Sequence, residues 1–263
     1  MLKKRLIPKL LIKYKFLGNK KRPVLVTTRG FRDEIFVGDP LSQAKIYEAQ
    51  FADELIILNI DSHPIATDDL MLRLVQRIAD EVFMPLTIGG GVRTVEDFQR
   101  LVEGGADKVC INTIMFENPQ LISKAAHRYG SQCVVASIDF KTDMLGNAYV
   151  VRDRGKICTN LNLIDFVQRV VELGAGEILL TDVDRDGYGN GLNFDICRVI
   201  ASSLTVPVIL SGGCGLAQHF VEGFQRGLAE GVASGTFFCF RDQNPMQTRS
   251  HIYNAGIAIR LET

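Results

Sequence analysis

The strongest constraint on how this chain can fold is that it nearly repeats itself. "DELIILNID", 53 to 61, matches "GEILLTDVD", 176 to 184, so that Glu54 falls on Glu177, 123 residues later. "PLTIGGGVRTVEDF" from Pro85 matches "PVILSGGCGLAQHF" from Pro207, 122 residues on, and "CINTIMF" then matches "ASGTFFCF" at Thr113 and Thr236. An offset this constant means that one series of structural elements is used twice. Short apolar, β-branched runs at 5–11, 54–60, 84–89, 107–111, 133–139, 176–181, 206–211 and 231–235 read as strands. Amphipathic stretches such as "TVEDFQRLVEGG" between them read as helices. Eight apolar strands alternating with helices imply a parallel sheet covered on both faces, most simply a closed (β/α)8 TIM barrel of two half-barrels. At 263 residues, 46% of them hydrophobic, residues 1–263 can fill one barrel-sized domain.

Composition removes several classes of function. Thirty basic residues balance thirty acidic ones, so nothing global points to nucleic acid or a membrane surface. The most apolar N-terminal stretch, "LLIKYKFL", is broken by lysines, and no run approaches the roughly 20 apolar residues of a spanning helix. A soluble, cytoplasmic protein is the expectation. Cys110, Cys133, Cys158, Cys197, Cys214 and Cys239 contain no CxxC pair, which fits free thiols in a reducing compartment better than disulfides or zinc. His63, His127, His219 and His251 are scattered, so neither a histidine nucleophile nor a metal site is expected, and no cofactor is implied.

The repeat also isolates one acidic residue. "VVASIDFK", 134 to 141, reads as a buried strand ending in Asp139, and a lone buried carboxylate is costly without a partner or a role. Aligned on the first half, Asp139 falls on Leu11 and Lys141 on Lys13. Two carboxylates facing each other across a barrel can act as general acid and general base. Only one is present here. In each half, two strands end in glycine or threonine turns that place backbone N–H groups where a phosphate can sit. Thr181, at a strand end, is a candidate hydrogen-bonding contact.

Taken together, "TIGGGV", "GADKVCINT", "AGEILLTDVDRDG", "LSGGCG" and the terminal "IRLE" resemble the cyclase subunit of imidazole glycerol phosphate synthase, HisF, over nearly the whole chain. The resemblance implies a barrel that takes ammonia from a glutaminase partner and uses it to cleave and cyclise a ribulosyl-aminoimidazole ribonucleotide. It implies two catalytic aspartates, of which Asp139 is retained and the other is replaced by Leu11. It further implies one phosphate site at Gly91, Asn112 and Thr113, and a twofold mate at Asp186, Gly187, Gly213, Gly235 and Thr236. Arg5, Glu54, Lys108 and Glu177, at the N-terminal starts of four strands, match the charged gate through which ammonia enters from the docked glutaminase.

Residues 12–40 depart from the pattern. The segment is long and basic, with Lys13, Lys15, Lys20, Lys21, Arg22, Arg29 and Arg32, and Thr27 stands where the family's motif has a lysine. Its length reads as a loop that could close over a ligand or stay solvated. The losses at Leu11 and Thr27 resemble paralogues in bacterial O-antigen and surface-polysaccharide clusters, where a third protein, a sugar amidotransferase, turns an acetamido group into an acetamidino group. Two alternatives stay open: an active cyclase of histidine biosynthesis, and a scaffold without catalysis.

Overall fold

Alternation along the first strand fixes what lies inside. Successive side chains of a strand point to opposite faces, so Arg5, Ile7, Lys9 and Leu11 share one face while Leu6, Leu10 and Ile12 share the other. The second set is fully buried in the large outer core beneath the helices. Ile7 instead belongs to a separate, smaller apolar cluster, which is the inside of a closed barrel.

The computed structural model describes residues 3–61, 63–240 and 243–260. Leu261 and Glu262 of the "IRLE" stretch lie outside the described residues. Among the described residues, twelve strands form one sheet: β1 (Arg5–Leu17), β2 (Lys20–Thr27), β3 (Ile35–Gly38), β4 (Leu55–Asn59), β5 (Leu86–Gly89), β6 (Lys108–Ile111), β7 (Val134–Thr142), β8 (Ala148–Arg152), β9 (Ile157–Asn162), β10 (Glu177–Asp182), β11 (Val208–Ser211) and β12 (Gly231–Ser234). Eight of them run parallel and close on themselves in the order β1, β4, β5, β6, β7, β10, β11, β12 and back to β1. Helices follow the strands, as in Val95–Glu103, whose start is fixed by a reciprocal capping box between Thr94 and Asp97 and whose Phe98 and Leu101 face the core. The fold is a (β/α)8 barrel.

The four remaining strands form antiparallel hairpin extensions in matching places. β2 and β3 build on the outer end of β1, and β8 and β9 build on the outer end of β7. Each half therefore supplies four barrel strands and one hairpin. This corrects the reading of 12–40 as a loop. Its lysines obscured the period-2 pattern, yet Val24, Leu25 and Val26 are buried, and the cations occupy the solvated outer end, where Lys15 lies over the Phe36 ring and Lys21 over Tyr14. The hairpin bends back across the barrel mouth. Gly30 N donates to the carbonyl of Asp186 at 2.8 Å, and Glu34 pairs with Arg154, at the turn of the second hairpin, at 3.8 Å.

Candidate active site

Three layers stack along the barrel axis, and the inward face of β1 supplies one residue to each. At the N-terminal floor, Arg5 donates to Glu54 at 2.8 Å and to Glu177 at 2.5 Å. Lys108 reaches the same two carboxylates, Glu54 at 3.2 Å and Glu177 at 2.8 Å. Charges alternate around a closed ring, each cation bridging both anions. Burial alone would lower the Arg5 pKa, but the charges and hydrogen bonds of Glu177 and Glu54 more than offset it and hold the group above its usual value. The expected quartet is thus one connected structure. Beside it, Asp53 accepts from Leu6 N and pairs with the buried Arg249, tying the C-terminal helix Pro245–Asn254 to the barrel floor.

Above the ring lies an apolar layer of Ile7, Ile56, Val135, Leu179, Ile209 and Ala233, with the Cys110 thiol among them. Burial pushes that thiol up to about 12. One contribution comes from nearly every strand of the barrel, so the layer forms an apolar septum across the interior, with the buried Thr87 of β5 in register with Ile56.

The third layer is polar and opens at the C-terminal mouth. Asp139, on β7, is 8% exposed and accepts a hydrogen bond from Asn112 Nδ2 at 2.7 Å. Burial raises its carboxyl to about 6; the Asn112 hydrogen bond and the ammonium of Lys9 pull it down, and Asp186 adds to the rise. A carboxyl there is mostly ionised at neutral pH yet still a competent proton acceptor. Thr181 lies beside it in the ladder and is buried.

Lys9 was not among the residues singled out from the sequence. It is 6% exposed, its Nζ donates to Ser211 Oγ at 2.8 Å, and it stands 3.7 Å from Asp186 Oδ1. Asp186 in turn accepts from Thr28 Oγ1 at 2.9 Å. The group whose charge reaches Asp139 from β1 is thus Lys9, one inward position below the half-buried Leu11. A signal existed: a lysine in register with Arg5 and Ile7, inside the run "LIPKLLI", cannot reach solvent without leaving the strand.

The expected phosphate residues fall on two arcs of strand ends. Gly91, Asn112 and Thr113 follow β5 and β6, while Asp186, Gly187, Gly213, Gly235 and Thr236 follow β10, β11 and β12. Thr113 and Thr236 each begin a short helix, Ile114–Glu117 and Thr236–Phe240. Two residues differ from a simple phosphate contact. The Asn112 side chain is engaged by Asp139, and the Asp186 carboxylate is turned to Lys9 and Thr28. Gly187 is required where it is: its φ is +77°, and a Cβ there would lie 1.9 Å from the Thr28 carbonyl oxygen, where the first hairpin crosses the mouth. Thr27 is 3% exposed, and its hydroxyl has no hydrogen-bond partner among the described residues.

The structure is thus a two-halved (β/α)8 barrel with a charged floor, an apolar middle and a buried carboxylate and buried lysine toward its C-terminal mouth, the end at which barrels of this class carry their sites. Sequence comparison narrows it. The chain belongs to the histidine biosynthesis protein family, whose model matches residues 17–244. It is 48% identical, over the full length of both chains, to a Prochlorococcus marinus protein provisionally named imidazole glycerol phosphate synthase subunit hisF2. It is 41% identical to the imidazole glycerol phosphate synthase subunit HisF of Gluconacetobacter diazotrophicus, over 99% of this chain and 97% of that one. Among the described residues, no helix is long and apolar enough to cross a membrane.

Proposed function

We propose that this chain is a HisF-type synthase subunit that receives ammonia from a glutaminase docked on its N-terminal face and uses it on a phosphorylated substrate in the C-terminal mouth. The observation that carries this reading is the order of layers on one axis. The ring of Arg5, Glu54, Lys108 and Glu177 stands at the floor, the apolar septum lies above it, and Asp139 lies above that. A small neutral molecule passes an apolar layer at little cost, whereas an ion would have to shed its hydration. Backbone amides at the two arcs of strand ends would hold the substrate's phosphates, and Asp139 would take a proton from the attacking nitrogen.

The reaction this favours is the cyclase reaction on a ribulosyl-aminoimidazole ribonucleotide. Leu11 favours a second reading, in which the barrel forwards ammonia to a sugar amidotransferase that amidates a surface-polysaccharide sugar. The test is an assay of the purified chain with the ribonucleotide and ammonium, repeated with glutamine and the partner glutaminase. Turnover with ammonium alone supports the cyclase reading. No turnover, together with glutamine-dependent amidation when the sugar amidotransferase is added, supports forwarding. A scaffold role requires that substitutions in the charged ring change neither.

A further inference from the structure

We infer that Lys9 is the second proton-transfer group of this site, acting with Asp139 where the other carboxylate of the pair has been replaced by Leu11. The inference rests on the cyclase reading above and assigns a residue that reading left unfilled.

A lysine buried on the inner face of a barrel strand is expensive unless its charge is compensated. Compensation comes from the opposite wall. Lys9 stands 3.7 Å from Asp186, whose other oxygen is held by Thr28, and its charge acts on Asp139. An ammonium carries three donors. Among the described residues, its hydrogen bond is to Ser211 at 2.8 Å, which leaves donor capacity for a ligand. Ile7, two residues earlier on the same face, belongs to the septum layer, and Gly235 packs against the Lys9 backbone, where a Cβ would come within 2.8 Å of the Lys9 carbonyl. The head group is therefore fixed between the septum and the substrate-facing turns, on the path by which a nitrogen nucleophile would arrive.

On the cyclase reading the ligand is the ribonucleotide's ribulosyl ketone, whose carbonyl carbon accepts ammonia. As the nitrogen lone pair forms the new C–N bond, the carbonyl π pair moves to oxygen, and Lys9 delivers a proton to that oxygen. The Asp139 carboxylate takes a proton from the attacking nitrogen. The products are a neutral carbinolamine, a neutral lysine and a protonated aspartic acid, and return of the proton from Asp139 to Lys9 restores the site. An amine and ketone have become a carbinolamine with no net proton gained or lost.

The experiment compares wild type with Lys9→Met, Lys9→Gln and Lys9→Arg in ammonium-dependent turnover of the ribonucleotide, with thermal melts to establish folding. Lys9→Met and Lys9→Gln are expected to lose about 10²- to 10⁴-fold in kcat, while KM for the ribonucleotide changes less than about threefold. Lys9→Arg keeps the charge but releases a proton far less readily, so its kcat is expected to stay low. Adding Leu11→Asp to Lys9→Met is expected to recover part of the loss, because it returns an acid to the same face of β1. Folded Lys9→Met or Lys9→Gln with wild-type kcat, or Lys9→Arg restored to wild type, would overturn the assignment while leaving the parent reading in place. A wild type inert to ammonium and ribonucleotide would overturn both.

Discussion

Replacing Lys108 by Met removes one cation from a ring whose two anions are nearly inaccessible, Glu54 at 7% and Glu177 at 3% exposure. Lys108 contacts Glu54 at 3.2 Å and Glu177 at 2.8 Å. At an effective dielectric of about 20, each such contact carries roughly 5 kcal/mol of gross attraction. Much of that is offset by the desolvation of the charges, and breaking a buried pair by removing one partner costs about 3 to 5 kcal/mol. Arg5 stays in contact with both carboxylates and neutralises one of them, so the lower end, about 3 kcal/mol, is expected. For a domain of this size that corresponds to a fall in Tm of about 6 to 12 °C. Lys108→Glu gathers three carboxylates around one guanidinium and should cost more. Urea titration of the two variants beside wild type measures both losses. Because the ring is largely withdrawn from solvent, the losses should change little with salt. If both variants unfold within about 0.5 kcal/mol of wild type, the quartet behaves as ordinary solvated surface charge, and neither the ring nor a floor gate built on it stands.

Three further outcomes follow from the mouth. Asp139 binds its proton more tightly folded, at about 6, than it does unfolded, so the stability from its protonated form is complete below about pH 4 and is lost as pH rises through 6, about 3 kcal/mol at most. Asp139→Asn abolishes that slope, and urea midpoints at pH 4 and pH 7 should move in the variant's favour; parallel pH profiles for the two proteins would contradict it. Gly187→Ala forces a side chain against the Thr28 carbonyl at positive φ and should cost more than about 2 kcal/mol, with faster tryptic cleavage at Arg29 and Arg32, whereas unchanged cleavage would mean the hairpin is not held there. Leu11→Asp should raise ammonium-dependent cyclase turnover; tight ribonucleotide binding with no gain in rate would show that the missing carboxylate does not limit the reaction.

The barrel was legible because its evidence is periodic. The 122- to 123-residue repeat and the apolar runs placed seven of the eight parallel strands to within three residues, since each buried strand must be apolar over most of its length, and missed only the outer end of β1, which runs past residue 11 to Leu17. The hairpins were not legible. In β2 the charged outer end, Lys20 to Arg22, hides a strand whose apolar half is short, and pairing with β1 rather than local preference holds it straight. In the site, the family resemblance pointed to Asp139, the glycine turns and the four ring charges, and the structure brings those four charges into one ring. Lys9 falls on Ser137 in the other half and so has no charged counterpart, and only inward alternation along β1, counted from Arg5, shows that the cation is enclosed.

The septum also imposes an asymmetry of protons. A layer of Ile7, Ile56, Val135, Leu179, Ile209 and Ala233 is an electrical insulator between two polar compartments. On the proposed ammonia-transfer reading, nitrogen would cross it uncharged and leave any proton it carried on the floor side, so proton exchange in the mouth would close on groups above the layer or on solvent entering from the open end. The Cys110 thiol sits within this layer, where burial above all favours its neutral form, with the Ser137 hydrogen bond and the charges of Asp139, Lys9 and Glu177 as smaller influences.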